Sequence, residues 1–277
     1  MDSSIKNHTI EIGIRNDLRQ ICVVTRYEIL RHLRSKKMYA FAGIAVLLLV
    51  LITGLGMALD GGLSKDPQEF MSGYVSLISL FVIVGVSLFC ASTLSSEFEE
   101  RTALLIFPRP MKRVSLFIGK AMACYIVCGG VIILYYFVSM IISLLNTGSV
   151  YPAAFASLGL ALLFMLGTGG FALLMSSLFN KGAIAVIITI AALLLIFNII
   201  DGMSSMFNFE PVFSITYAGA DISNVINGNV TNSVYMDALG GYITYFYPSH
   251  GLAIAIMVVW ATVTTSLSAL LFIRREF

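Results

Sequence analysis

Apolar residues run along this chain in six long blocks: Met38 to Leu59, Gly73 to Leu94, Leu116 to Leu145, Ala153 to Phe179, Ala183 to Ile200 and Gly251 to Ile273. A helix that crosses about 30 Å of hydrocarbon needs about 20 such residues, so each block predicts a membrane span. The third is longer than a bilayer requires and predicts a helix that tilts, kinks or projects beyond it. The fifth is barely sufficient. Ahead of the blocks, Leu18, Ile21, Cys22, Thr25, Ile29 and Leu33 recur at helical spacing, while Arg15, Arg19, Arg26 and Arg34 take the other side. That pattern over Asn16 to Lys37 predicts an amphipathic helix lying in the membrane interface, although a helix capping the protein in water has the same spacing. Residues 1–15 read as a tail. The fold class that follows is all-α: a polytopic membrane protein of six helices preceded by an interfacial helix.

Composition agrees, with 58% of the 277 residues hydrophobic and 12% charged. Lys and Arg then orient the chain, because cytoplasmic loops carry the excess of both. Eight precede the first span, five lie between Arg101 and Lys120, Lys181 sits in the next turn on that side, and Arg274 and Arg275 follow the last span. Lys65 alone falls opposite. Both termini are therefore expected in the cytoplasm of a prokaryotic cell, with the protein in its plasma membrane. Residues 201–249 hold no Lys or Arg but include Asp201, Glu210, Asp221 and Asp237, and read as one large external loop. The charged N-terminus and the end of the first span lack the pattern of a cleavable signal, so the first span is expected to act as the anchor.

The polar segment between the second and third blocks, SSEFEERTALLIFPRPMKR, is the densest in signals. Ser96 with Glu99 three residues on forms a capping box, and Glu97, Glu99 and Glu100 place negative charge at the positive end of a helix dipole. A short helix over Glu97 to Ile106 follows, ended by Pro108 and Pro110 before Lys112 and Arg113. Phe98, Leu104, Leu105 and Phe107 are apolar on an otherwise charged cytoplasmic element, the composition of a docking surface; resting on lipid headgroups is the plainer account of the same residues.

The acidic helix, the PRPMKR element with Pro110 and Arg113, and Lys120 just inside the third span resemble the coupling segment of ABC-2 type transporter permeases. Arg101-Thr102 stands where Gly-Thr is common in that family. The interfacial helix, six spans, large loop before the last span and terminal FIRREF are also similar, especially to the branch linked to copper-enzyme maturation. The resemblance implies that Glu97, Phe98, Glu99, Glu100, Arg101, Leu105, Pro110, Arg113 and Lys120 couple the membrane domain to a cytoplasmic ABC ATPase. It further implies two ATPase copies that bind ATP and magnesium, and a second permease subunit that is an identical copy of this chain. Residues 1–37 would form the tail and interfacial helix and 38–277 the six-span domain, with the coupling segment at 95–115 and the external loop at 201–249.

Other chemistry is sparse. Lys120 is the one charge inside the predicted spans, where ion-coupled pumps and intramembrane enzymes place several. Gly119-Lys120 lacks the rest of a Walker pattern, so the expectation is a transport subunit that is not itself an enzyme, with no cofactor or metal in this chain and no nucleic-acid partner. Cys22 reads as cytoplasmic and Cys90, Cys124 and Cys128 as lying within spans, against a disulfide framework. Cys124 and Cys128, four apart, share a helix face suited to a soft metal, a redox pair or simple packing. Ser76, Ser79, Ser87 and Cys90 stripe the second span and Thr262, Thr265 and Ser266 the sixth, which suits close helix packing. Gly167, Gly169 and Gly170 suit a kink or a close crossing. Tyr242, Tyr245, Phe246 and Tyr247 read as an aromatic belt, and Ser249 as a helix start with His250 in its first turn. Met203, Met206 and Met236 are too scattered to make a copper site, and Asn229-Val230-Thr231 is a sequon. Against the exporter subunit stands one rival from another class, a membrane scaffold that transports nothing.

Overall fold

The computed structural model describes residues 2–59, 64–96, 112–228, 232–236 and 242–274. Among the described residues six helices are long and apolar enough to cross a membrane: Lys36–Gly56, Pro67–Thr93, Arg113–Thr147, Ala153–Leu178, Gly182–Phe207 and His250–Arg274. They match the six blocks, and the chain is an all-α polytopic membrane protein.

The second, third and fourth spans form the core. Of the second span's most apolar stretch 67% is buried, against 17% for the first and the fifth, so the latter two flank the bundle. The fourth span packs most extensively on the sixth and on the second. Its glycines explain the closeness. A Cβ at Gly170 would lie 2.4 Å from Thr264 Oγ1 and 2.7 Å from Thr265 Oγ1, one at Gly167 would lie 2.6 Å from Ile215 Cδ1, and one at Gly169 would meet the Tyr125 ring at 2.5 Å. Of the two uses foreseen for these glycines, the structure takes the close crossing, the small-residue packing that membrane helices favour.

The first span, in the helix Lys36–Leu59, is held chiefly by Phe41, which is fully buried over Gly85, stacked on Phe81 at 4.5 Å and edge-on to Phe89 at 5.6 Å. Beside that anchor the first and third spans part to leave an apolar groove of about 630 Å³ between Met38, Ala45, Leu49 and Val131, Tyr135, Ile142.

The fifth span is longer than its apolar block. A π turn over Ala192–Ile196 interrupts it, and Asn198 Nδ2 donates to the carbonyls of Leu193 and Leu194 at 3.2 and 3.0 Å, so the helix continues past the polar Asn198 and Asp201. It ends at Phe207, where Asn208 takes a left-handed conformation.

Residues 201–249 are not an open loop. Two short helices, Ile215–Gly219 and Asp221–Asn227, fold back onto the end of the bundle where the sixth span begins, with Ile215, Ala218, Ile222 and Ile226 fully buried. Short helices expose a high proportion of unpaired carbonyls, which are costly away from water. Side chains from the spans supply the donors: Ser79 Oγ to Gly219 O at 3.3 Å, Ser157 Oγ to Ile222 O at 2.8 Å and Gln68 Nε2 to Ile226 O at 2.9 Å. The fully buried Asp221 pairs with His250 Nδ1 at 2.8 Å, and His250 opens the sixth span as foreseen. Tyr217 donates to Glu210 at 2.6 Å; burial and that carboxylate push its phenol above the ordinary value, so it stays a donor. A hairpin, Ser233–Met236 antiparallel to Tyr242–Tyr245, adds the one pair of strands among the described residues. The sequon lies outside the described residues.

Gly170→Val forces two methyl groups into the hydroxyls of Thr264 and Thr265. The expected cost is about 1–3 kcal/mol, read as an earlier denaturation midpoint of the detergent-solubilised protein, whereas Val at Gly43, which has nothing within 4 Å of its Cβ, should leave the midpoint in place.

Candidate functional site: the inner end of the third span

Of the residues implied in coupling, Glu97, Phe98, Glu99, Glu100, Arg101, Leu105 and Pro110 lie outside the described residues, as does the helix foreseen over Glu97 to Ile106. The structure describes the two ends of that segment. At one, the second span finishes against the fourth: Ser176 Oγ accepts from the backbone amides of Leu94 at 2.9 Å and Ser95 at 3.1 Å. Ser95 and Ser176 are fully buried. At the other, the third-span helix starts at Arg113, whose Nη1 donates to Ile273 O at 3.1 Å, near the end of the sixth span, while Phe117 meets the Phe272 ring at 5.9 Å. Arg113 thus also ties the third span to the sixth.

Lys120 lies two turns into the same helix with 1% of its side chain exposed, and its Nζ is paired with Glu28 Oε1 of the N-terminal helix. Burying an ammonium is tenable only when an opposite charge meets it. Glu28 is also 3.6 Å from Arg31. Around this pair the seam is tight. A Cβ on Gly119 would lie 2.8 Å from the Val24 side chain, and Thr25 Oγ1 donates to Gly119 O at 3.2 Å and to Ile21 O at 2.8 Å. Further along, His32 Nε2 is 3.5 Å from Cys124 Sγ, which is 3.0 Å from Thr93 Oγ1, and Lys37 donates to Ser92 at 2.7 Å. Before them Lys112 meets Asp17 at 2.5 Å.

These contacts climb both helices together: Asp17 with Lys112, Thr25 with Gly119, Glu28 with Lys120, His32 with Cys124. The N-terminal helix therefore runs beside the first turns of the third-span helix and in the same direction. It spans Asp2–Leu33, so the expected tail is helical from Asp2; the lone Gly13 does not break a helix, and the alternation of Ile10, Ile12 and Ile14 is too short to make a strand. It ends before Lys37 because Ser35 Oγ and Ser35 N both donate to His32 O. Of its expected apolar stripe, Ile21, Thr25 and Ile29 pack inward, while Leu18, Cys22 and Leu33 stay exposed. The 35-residue third-span helix is about 52 Å long at 1.5 Å per residue, about 20 Å more than the hydrocarbon needs, and its partner accompanies the inner part of that excess.

Glu28, His32, Asp17 and Ser176 were not foreseen. A signal existed for the first two, since Ile21, Thr25, Glu28 and His32 fall at helical spacing and make one face. The buried cysteines Cys90, Cys124 and Cys128 pack at the centre of this region. Among the described residues, no group of three or more His, Cys, Asp or Glu is placed to hold a metal ion.

Residues 26–217 match the profile of the ABC-2 family transporter protein. The chain belongs to that family. The matched region takes in the seam from Arg26, all of the first five spans and the segment between the second and third. A curated relative, the uncharacterized membrane protein YdbK of Bacillus subtilis (strain 168), is 25% identical over 183 residues, 60% of this chain and 72% of its own length. As an ABC-2 family member the chain is a membrane component of an ABC transporter, with the ATPase partner that the family implies.

Ser176→Ala removes the acceptor of two buried amides. The expected cost is about 1–3 kcal/mol, and hydrogen exchange at the Leu94 and Ser95 amides should quicken while amides near Tyr135 keep their protection.

Proposed function

We propose that this chain is one of two identical membrane subunits of an ATP-binding-cassette exporter, driven by two cytoplasmic ATPase subunits that bind ATP and magnesium and press on residues 97–106. The observation that carries the reading is how the ends of that segment are held. Ser95 is fixed to the fourth span through Ser176, and Arg113 is fixed to the sixth through Ile273. A force applied between those anchors is passed to the second and third spans and, through these two bonds, to the fourth and sixth. Sixteen of the seventeen Lys and Arg residues stand on the side that carries this segment, which supports cytoplasmic termini and a plasma-membrane location. The weak burial of the first and fifth spans, both packed on the second, leaves apolar faces on which a second copy fits.

Phe98 and Leu105 are the anchors of the ATPase contact in this reading, and truncating a buried interface anchor costs about 2 kcal/mol or more. The Phe98→Ala, Leu105→Ala double variant should insert normally but lose co-purification with its ATPase partner and lose ATP hydrolysis by the complex. Full retention of both would overturn the coupling role.

Orientation has its own test. Native Cys22 is exposed, whereas Cys90, Cys124 and Cys128 are buried, so an impermeant maleimide should label Cys22 only from the cytoplasmic side. A cysteine at the exposed Asn227 of a Cys22→Ser variant should label only from outside. The reverse pattern refutes the assigned topology.

A further inference from the structure

We propose that Glu28 and Lys120 are positioning residues: their ion pair fixes the register of the N-terminal helix on the third span, so that the two helices move as one lever. The inference rests on the exporter reading for what the lever is for, but not for its geometry.

The seam around the pair is well packed yet poor at preventing sliding. At Gly119 the N-terminal helix meets a residue with no side chain to interlock, the bond of Thr25 to Gly119 O is shared with its own Ile21 O, and the His32 contact to the Cys124 sulfur, at 3.5 Å, is a weak one. Lys112 with Asp17, at the far end, is a largely exposed pair, with 66% of the lysine side chain open to solvent, and exposed pairs constrain little. Lys120 differs because its side chain is 1% exposed and that of Glu28 only 12%. Sliding the helices by one residue, about 1.5 Å, pulls the carboxylate off an ammonium that water barely reaches. Buried charged or polar pairs of this kind contribute little net stability, and their best-attested use is to select one register. The location makes that register matter. The third-span helix begins at Arg113, directly after the segment on which the ATPase is proposed to press, and the N-terminal helix leads within three residues into the first span. A fixed register therefore joins the first and third spans to the same push.

The experiment separates register from stability. Spin labels replace the exposed Tyr27 and Val114 in a Cys22→Ser background, and pulsed electron paramagnetic resonance reads their distance in the full-length protein in lipid nanodiscs. Lys120→Met alone leaves the mostly buried Glu28 carboxylate with only the half-exposed Arg31, at 3.6 Å, to meet its charge and should lower the melting temperature. Glu28→Gln with Lys120→Met removes both charges and should restore melting to within about 2 °C of the parent, since about 1 kcal/mol or less then separates them. That neutral pair should nonetheless give a distance distribution at least about twice as wide, because the register is no longer selected. A neutral pair with the parent's narrow distribution overturns the inference, and so does a parent distance that shifts when the ATPase complex is trapped with vanadate. The width is measured without any ATPase. Failure of the exporter reading would appear separately, as a complex that never forms or never hydrolyses ATP.

Discussion

Lys120 sits two turns inside the third span, almost wholly shielded from water, and that helix is tenable only if a carboxylate comes to it. Glu28 is the carboxylate, and delivering it dictates much of the inner architecture. The N-terminal helix has to run along the third span, Gly119 has to lack a side chain so that Val24 can approach, and His32 is carried to Cys124. The first span then starts where that arrangement leaves it, with Lys37 on Ser92. A single desolvated charge thus links the chain's beginning to its middle.

The outer end meets a different constraint with a similar result. Two short helices return into the bundle, and each has more carbonyls than its own turns can satisfy. Ser79 and Gln68 donate to two of them, at Gly219 and Ile226, and Ser157 adds a bond to Ile222 O inside the second helix. The polar residues of the spans therefore mostly serve packing and backbone satisfaction. Ser79, which in isolation belongs to the polar stripe of the second span, joins Ser157 of the fourth in holding the two short helices. Thr264 and Thr265 lie where the glycines of the fourth span let the sixth come near.

The spans were legible in the sequence because length and hydropathy are nearly sufficient to specify a membrane helix. The glycine crossing and the helix start at His250 were legible for the same local reasons. What escaped was decided by distant partners. The apolar stripe of the N-terminal helix suggested a helix on the membrane surface, but its buried face also carries Glu28 and His32, whose partners lie 92 residues along the chain. Residues 201–249 looked like a loop because their lack of Lys and Arg and abundance of Asn and Gly dominate. The spacing of Ile215, Ala218, Ile222 and Ile226 was present, yet too short to outweigh that composition. The fifth block looked barely sufficient because it stops at Ile200, before Asp201, whereas the helix runs on to Phe207 with Asn198 bonding the carbonyls that its own π turn releases.

That last detail sets the geometry of the outer face. A π turn holds one residue more than an ordinary α turn, and each residue of an α-helix advances the azimuth by about 100°. Everything beyond Ile196 is therefore rotated relative to an uninterrupted helix, including Asp201, which accepts from Thr216 at the root of the first short outer helix. Loss of one residue from Ala192–Ile196 would leave the fifth span apolar and long enough to cross the membrane. It would also close the π turn to an ordinary α turn and so keep Asp201 within reach of Thr216, whereas loss of one residue from the α-helical stretch between Phe197 and Asp201 would swing that carboxylate away.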